Sequence, residues 1–125
     1  MTAGAAGEDP RVSTRVLLAD GHALVLAALE PLLAARFVVL ASASDGDAAL
    51  ELALRLLPDV LLLEFSLPRL DGLALVRALR VQAPTVRCVF VTSRTDLGSV
   101  RAAFAAGAVG YVAKYAAPEA LYEAV

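Results

Sequence analysis

The chain has 125 residues, a formal net charge of −2 and a hydrophobic content of 59 %. The length suits one domain, and the apolar content exceeds the roughly 45–50 % that is usual in globular domains. No uncharged run approaches the ~18 residues that a membrane-spanning helix needs. Charges of both signs are interspersed, which gives no basic surface for nucleic acid. The composition therefore argues against a membrane protein and against direct DNA binding by this domain.

The N-terminal residues and the single cysteine both indicate the cellular compartment. Residues 1–14 are rich in Ala, Gly and Thr, with no basic start and no apolar stretch. They predict a disordered leader and not a secretory signal. Cys88 is the only cysteine and lies in an apolar run, which predicts a buried free thiol. Both features favour a cytoplasmic protein.

Short apolar runs alternate with longer segments of helical periodicity along the rest of the chain. In chain order, the predicted elements are a strand at 16–19, a helix at 23–35, a strand at 37–41, a helix at 45–57, a strand at 60–63, a helix at 73–81, a strand at 86–91, a helix at 97–106, a strand at 111–113 and a helix that starts at Pro118 and is still running at Val125. This alternation predicts an α/β fold with a parallel sheet that is covered by helices on both faces.

Four residues mark the helix ends in this pattern. Pro31 should kink the first helix or lie in its last turn. Ser44 is the predicted N-cap of the second helix, and Gly107 is the predicted C-cap of the fourth. Pro118 opens the last helix at a position where a missing N–H costs nothing.

Polar side chains follow four of the predicted strands. Asp20, Glu64, Thr92 and Lys114 each come directly after a different apolar run. Because ligand sites of open α/β sheets form at the carboxyl ends of the strands, these side chains are expected to converge in one crevice. Any one of them could instead mark only where the chain meets water. Lys114 is the strongest candidate for a functional role. It is the only lysine in a chain with ten arginines, so an arginine would be expected at this position if any cation sufficed.

The chain resembles the receiver domains of bacterial two-component response regulators, particularly the NarL/LuxR-type subfamily. The matching stretches are residues 16–22, 59–72, 89–92 and 107–114, and the resemblance extends from residue 15 to residue 125. It implies a flavodoxin-like, doubly wound sheet of five parallel strands in the order 2-1-3-4-5, with five helices. It also implies a role in phosphorelay signalling and transcription regulation, and no enzymatic activity. A C-terminal output domain is expected beyond these residues.

The resemblance also implies roles for individual residues. Thr92 and Lys114 correspond to the residues that bind phosphoryl oxygens, and Tyr111 corresponds to an aromatic switch. Asp20 corresponds to the first of two acidic residues that hold Mg²⁺, and the backbone of Ser66 would offer the metal a carbonyl oxygen.

Two positions depart from the family pattern. Gly21 stands where a second acidic residue is expected, and Glu64 stands where the phosphoacceptor aspartate is expected. Asp20, Glu64 and Ser66 would thus form an incomplete magnesium site, and we expect Mg²⁺ binding to be weak at most. Glu64 either occupies part of the phosphoryl space and holds an active-like state, or forms an ion pair with Lys114 that only stabilises the crevice.

The sequence leaves three classes of function open. The leading hypothesis is an atypical receiver that regulates an output by protein contact without being phosphorylated. The alternative is a conventional Mg²⁺-dependent phosphoacceptor that controls a DNA-binding regulator, with Asp20 or Ser66 as a substitute acceptor. A haloacid-dehalogenase-type phosphatase or a flavin-binding domain is disfavoured, because residues 20–24 lack both the Asp-x-Asp pair and a phosphate loop.

Two apolar surfaces are predicted to contact protein partners or the chain's own output domain. The first helix has too many apolar residues to bury at once, which suggests homodimerisation. The predicted members are Leu24, Val25, Leu26, Leu29 and Leu32 on this helix, and Leu97, Val100, Phe104, Tyr115, Leu121 and Tyr122 on a second surface. His22 is expected to cap or pack at the start of the first helix, and pH sensing by this only histidine is the less favoured alternative.

Overall fold

A computed structural model describes residues 13–125 as a five-stranded parallel sheet with helices on both faces. The strands are β1 (Arg15–Ala19), β2 (Val38–Ala43), β3 (Val60–Leu63), β4 (Arg87–Thr92) and β5 (Gly110–Ala113), and the helices are α1 (Ala23–Ala34), α2 (Gly46–Leu56), α3 (Gly72–Gln82), α4 (Leu97–Ala106) and α5 (Pro118–Ala124). The strand order is β2-β1-β3-β4-β5, and all four pairs are parallel. The predicted doubly wound fold is confirmed.

The alternation of side chains along each strand divides the core into two layers. In β1, Leu17 points to the side covered by α2 and α3, whereas Val16 and Leu18 point to the side covered by α1 and α5. The central strand β3 is buried along its whole length. Because helices cover both faces of the sheet, its strands are continuous apolar runs. Each run ends at a polar residue where the strand leaves the buried core.

Three of the four residues that were predicted to mark helix ends do so in the structure, and one does not. The N-cap of α2 is Asp45, whose carboxylate accepts the amide of Ala48 at 2.8 Å, and the prediction of Ser44 was wrong by one residue. Gly107 is the C-cap of α4 with a φ of 123°, which glycine adopts without steric cost. Pro31 lies in the last turn of α1, and Pro118 opens α5 as predicted. The amide of Val125 still donates to the carbonyl of Leu121 at 3.2 Å, which agrees with the prediction that α5 continues to this residue.

The predicted leader, residues 1–14, falls mostly outside the described residues. Its last residue, Thr14, accepts the backbone amide of Val38 at 2.9 Å through its carbonyl oxygen. Within residues 13–125, none of the helices combines the length and the apolar character that crossing a bilayer requires.

The two predicted apolar surfaces are exposed only in part. Leu24 on α1 is 86 % exposed, and Phe104 and Tyr115 are also exposed. The prediction was wrong for Leu121, which is buried in the core layer beneath α1 and α5. Tyr122 packs beside it and donates its hydroxyl to the carbonyl of Leu32 at 2.9 Å. Both residues therefore tie α5 to the body of the domain instead of facing a partner.

Candidate functional site

The four polar residues that follow the strands lie together at the carboxyl end of the sheet. Asp20 follows β1, Glu64 follows β3, Thr92 is the last residue of β4, and Lys114 follows β5. The first three are buried, which is unusual for the two carboxylates and requires that they be paired. Their convergence follows directly from the parallel arrangement of the strands.

Lys114 holds the two carboxylates together. Its Nζ lies 2.8 Å from Asp20 Oδ2 and 2.8 Å from Glu64 Oε1. The lysine side chain is 20 % exposed, so the ammonium closes the cluster at the edge that faces water. Two carboxylates and one ammonium leave this cluster with one net negative charge.

The ion pairs shift the acidities of all three groups. Burial alone would raise the pKa of Asp20 and of Glu64, but the hydrogen bond and charge of Lys114, with further donors, hold both pKa values below their ordinary range. Burial alone would lower the pKa of Lys114, yet its bonds to Asp20 and Glu64 raise that pKa above its ordinary value. All three groups are therefore charged at neutral pH.

The remaining oxygen of Glu64 is also occupied. Glu64 Oε2 accepts a hydrogen bond from the backbone amide of Phe65, and the neighbouring Thr92 hydroxyl helps to lower the pKa of the same carboxylate. Thr92 Oγ1 in turn accepts the amide of Arg94 at 3.2 Å. The carboxylate of Glu64 thus bonds an ammonium and a backbone amide, both supplied by its own chain.

Asp20 is satisfied on its other side by His22. Asp20 Oδ1 accepts the backbone amide of His22 at 2.8 Å and lies 2.9 Å from its Nδ1. His22 is the N-cap residue of α1, but its side chain makes no capping bond to the helix and turns to the cluster instead. The prediction that this histidine caps or packs at the start of the first helix is confirmed, since its backbone carbonyl accepts the amides of Val25 and Leu26.

Tyr111 lies beside the cluster, in half-buried contact with two phenylalanines. Its ring centroid is 6.0 Å from that of Phe65 and 6.1 Å from that of Phe90. The Tyr111 hydroxyl donates to the backbone carbonyl of Arg94 at 2.7 Å. Burial and the neighbouring carboxylates Asp96 and Glu64 raise the pKa of this hydroxyl, so it remains protonated.

The family of the chain follows from comparison with known proteins. The family model of the response regulator receiver domain matches residues 16–125. The chain belongs to this family. The receiver domain of the response regulator NarL from Mycobacterium tuberculosis is 30 % identical to it, with a TM-score of 0.85 over 90 % of this chain and 92 % of that structure.

Curated relatives with different names match the chain over part of their length. The transcriptional activator protein ExaE from Pseudomonas putida is 36 % identical over 88 % of the chain, which covers 52 % of ExaE. A protein-glutamate methylesterase/protein-glutamine glutaminase from Anaeromyxobacter dehalogenans is 38 % identical over 86 % of the chain, which covers 31 % of that enzyme. The chain thus spans about half, or less, of the relatives that it matches.

Receiver domains typically bind Mg²⁺ at their acidic site, but the residues of this receiver do not fit that ion well. Within residues 13–125, no three His, Cys, Asp or Glu side chains are grouped to hold a metal. Asp20 and Glu64 are the two carboxylates, and each of their four oxygens already accepts a donor from the protein. Mg²⁺ requires near-ideal octahedral coordination by oxygen, and Gly21 supplies no third carboxylate.

The structure brings together most, but not all, of the residues that the sequence singled out. Asp20, Glu64 and Lys114 form one bonded cluster with Thr92 beside it, and the exposed side chain of Ser66 accepts a bond from Arg94 Nη2 at 3.1 Å, while the predicted role of the Ser66 backbone carbonyl stays a prediction. The sequence analysis missed Arg94 and the side-chain bond of His22. Both lie in loops, and the proximity of each to a strand-end polar residue is the one signal that could have drawn attention to them.

Proposed function

We propose that this receiver regulates its output by protein contact without being phosphorylated. The observation that carries the proposal is the ion pair of the Glu64 carboxylate, whose Oε1 lies 2.8 Å from Lys114 Nζ, while the neighbouring Thr92 hydroxyl contributes to the lowered pKa of Glu64. By their positions, these two residues correspond to the phosphoryl-binding residues of the family, and Glu64 corresponds to the phosphoacceptor. Glu64 thus uses the donors that an incoming phosphoryl group would need.

The length of the Glu64 side chain supports the same proposal. Glutamate has one methylene more than aspartate, which carries its carboxylate about 1.5 Å further into the crevice. Phosphoryl transfer requires an in-line attacking oxygen and neutralisation of the developing charge. A carboxylate that is displaced and already bonded to Lys114 satisfies neither requirement.

Weak metal binding is part of the proposal. In the conventional arrangement a third carboxylate would stand at position 21, and at an effective dielectric of 20 each unit charge pair at 4 Å is worth roughly 4 kcal/mol before desolvation. Gly21 removes attraction of that order. We therefore propose that the site binds Mg²⁺ weakly at most, and that Asp20, Glu64 and Ser66 do not form a working metal site.

Intact-protein mass spectrometry after incubation with Mg²⁺ and acetyl phosphate tests the proposal. The native chain should gain no phosphoryl group, whereas a Gly21→Asp/Glu64→Asp variant should be labelled. The aspartate at position 21 can be accommodated, because a Cβ there would lie 3.2 Å from Pro68 Cδ and needs a shift of only a few tenths of an ångström. The two single variants show whether the acceptor or the missing metal ligand is the main obstacle.

Labelling of the native chain would overturn the proposal and support a conventional phosphoacceptor. Membership of the receiver family favours that second function, which would control a DNA-binding regulator. Mapping of the modified residue by fragmentation would then distinguish Glu64 from Asp20 or Ser66 as acceptor. An Asp20→Asn variant adds to this mapping, since it should lose the label if Asp20 is the acceptor.

We also propose that a second copy of this chain covers the exposed face of α1. The helix has one charged residue, Glu30, whose Oε1 accepts the hydroxyl of Ser42 at 3.2 Å. Two such faces can therefore meet about a two-fold axis without strong like-charge repulsion, while a charged partner would find little to recognise. A monomer in analytical ultracentrifugation at high micromolar concentration would contradict this part.

An output domain outside these residues is the other proposed partner. ExaE, which is about twice the length that the chain covers, is named as a transcriptional activator. We propose that any nucleic-acid contact of the whole protein is made by such a domain and not by this receiver.

A further inference from the structure

We propose that the exposed sides of α3 and α4 form a docking surface for an acidic segment of another protein. The surface consists of Arg77, Arg80, Val81, Arg101 and Val109, and we name it the α3–α4 surface. The proposal rests on the proposed function, because it names a surface and a class of partner for regulation by protein contact. None of these residues belongs to the carboxylate cluster.

The charges of the chain are unevenly distributed along it, although they nearly balance overall. Residues 72–117 contain six of the eleven basic residues and one of the thirteen acidic residues. The basic residues are Arg77, Arg80, Arg87, Arg94, Arg101 and Lys114, and the acidic residue is Asp96. The helices α3 and α4 themselves contain no acidic residue. This part of the fold therefore has a positive field that the net charge of −2 conceals.

The arginines of the α3–α4 surface are not neutralised by the part of the chain that the structure describes. Among residues 13–125, no carboxylate forms a salt bridge with Arg77, Arg80 or Arg101. The neighbouring helix α2 carries exposed Asp47 and Glu51, but neither of them pairs with α3. Like charges one turn apart on a helix destabilise it slightly. The guanidinium groups are thus available to a carboxylate from another molecule.

Arg80 joins the exposed sides of the two helices. Its Nη1 donates to the carbonyl of Ala105 in the last turn of α4 at 3.4 Å. Its side chain also runs past Gly107, where an added Cβ would lie 3.0 Å from Arg80 Cδ. These contacts hold the guanidinium over the gap between α3 and α4. A planar guanidinium held in this way presents paired N–H groups that match the two oxygens of a carboxylate.

Two valines add apolar contact area beside the arginines. Val81 is 82 % exposed and Val109 is 54 % exposed. Val81 lies one helical turn from Arg77, and Val109 lies two residues beyond Gly107, which the Arg80 side chain touches. Arginine is enriched where proteins meet, and apolar side chains that surround an ion pair exclude water from it. The surface therefore fits a segment that has both carboxylates and apolar side chains, as in recognition of acidic motifs by arginine clusters.

A second copy of this chain fits the α3–α4 surface less well than another protein does. The acidic side of α2 in one copy would have to meet the arginines of the next copy, which is a head-to-tail contact. Such a contact leaves one free surface of each kind on every assembly, so growth does not stop at a defined size. A separate acidic partner ends the assembly at one complex.

Fluorescence anisotropy with a synthetic acidic peptide tests the proposal on the full chain. The probe is a helical peptide of about four turns, with Glu on its polar side and Leu at one-turn spacing, and the reference peptide has Lys in place of every Glu. The native chain should bind the acidic peptide saturably and the reference peptide at least about tenfold more weakly, because like charges disfavour the wrong partner. NMR amide shifts caused by the acidic peptide should be confined to α3, α4 and the loop that carries Val109.

Matched variants separate recognition by this surface from a general effect of net charge. Arg101→Glu and Arg55→Glu change the charge equally, and both arginines are exposed on helices. Arg101→Glu should weaken binding by roughly fivefold to tenfold, because it replaces the attraction of an exposed ion pair with a repulsion. Arg55→Glu on α2 should change it by less than about twofold. Val81→Ser should also weaken binding, and this loss should persist at high salt, which screens only the charges.

Several outcomes would overturn the proposal. Equal binding of the two peptides, equal effects of Arg101→Glu and Arg55→Glu, or no saturable binding up to about 1 mM would each do so. Binding to vesicles of anionic lipid without binding to the peptide would assign the surface to a membrane. Oligomers that grow with concentration and are lost in Arg101→Glu would assign it to a second copy.

The experiment contains no phosphoryl donor, which separates its failure from that of the proposed function. Labelling of the native chain by acetyl phosphate would defeat the proposed function and leave binding of the peptide intact. Failure of the peptide to bind would defeat the docking surface alone.

Discussion

The carboxylate cluster and the outer face of α1 are adjacent in the fold but opposite in character. In the cluster, the buried groups Asp20 and Glu64 have every oxygen bonded to a donor of the same chain. On α1, Leu24 and Leu32 leave apolar surface exposed, and Glu30 is the helix's one charge. The site that usually receives a ligand is thus closed, and the surface beside it is open.

This difference indicates which part of the receiver is available to bind a ligand or a partner. A bonded cluster gains little from binding Mg²⁺ or a phosphoryl group, because an incoming ligand must first break bonds that already exist. The free energy of an exposed apolar face falls when a complementary surface covers it and removes it from water. We therefore expect signalling to depend on what contacts the helices and not on chemistry at Glu64.

The largest effect is expected when the cluster loses its cation. Lys114→Met leaves two buried carboxylates facing each other, and removing one partner of such a network typically costs about 3–5 kcal/mol of unfolding free energy. Urea denaturation followed by circular dichroism measures the loss.

A triple variant provides the control for this prediction. Asp20→Asn/Glu64→Gln/Lys114→Met removes all three charges and should recover most of the lost stability, because no buried charge is left unpaired. A loss below about 1 kcal/mol for Lys114→Met alone would place its ion pairs among ordinary surface pairs and remove the contrast between the two regions.

The contrast could be predicted from the sequence only in part. The convergence of Asp20, Glu64, Thr92 and Lys114 was predictable, because buried parallel strands end abruptly and their carboxyl ends share one edge. The residues that donate further hydrogen bonds around the site were not predictable. Arg94 and His22 lie in loops, and hydrophobic periodicity does not define the path of a loop. The orientation of Leu121 was also missed, because α5, with 7 residues, is too short to define a buried face.

The pH dependence of stability should show the cluster directly. The folded-state pKa values of Asp20 and Glu64 are lowered, so the stability that they contribute is present above their ordinary pKa near 4 and is lost as pH falls through the folded values. Lys114 has a raised pKa, so its contribution persists below its ordinary pKa near 10 and is lost as pH rises through the folded value.

Stability should therefore be nearly flat between about pH 5.5 and pH 8 and should fall on both sides, because burial also raises the pKa of the Cys88 thiol to about 12 and only the unfolded chain ionises it from about pH 8.5. Glu64→Gln removes one titrating carboxylate, so the acid decline should become shallower than in the native chain, while Glu51→Gln on the exposed face of α2 should leave it unchanged. Denaturation midpoints collected across this range provide the measurement. Identical acid declines for the native chain and Glu64→Gln would contradict the assignment of a bonded Glu64.

The smallest effect on folding is expected on the open face of α1, where two leucines of one helix should behave differently. Leu33 is fully buried, so Leu33→Ala should cost about 2–5 kcal/mol. Leu24 is 86 % exposed, so Leu24→Glu should change the unfolding free energy by less than about 0.5 kcal/mol.

The same Leu24→Glu change should abolish self-association in sedimentation velocity, because a two-fold contact would place both new carboxylates in one interface. A Leu24→Glu chain that still dimerises would move the contact elsewhere, for which exposed Phe104 and Tyr115 offer the next apolar surface. A native chain that stays monomeric would show that the face of α1 is open to a partner other than itself.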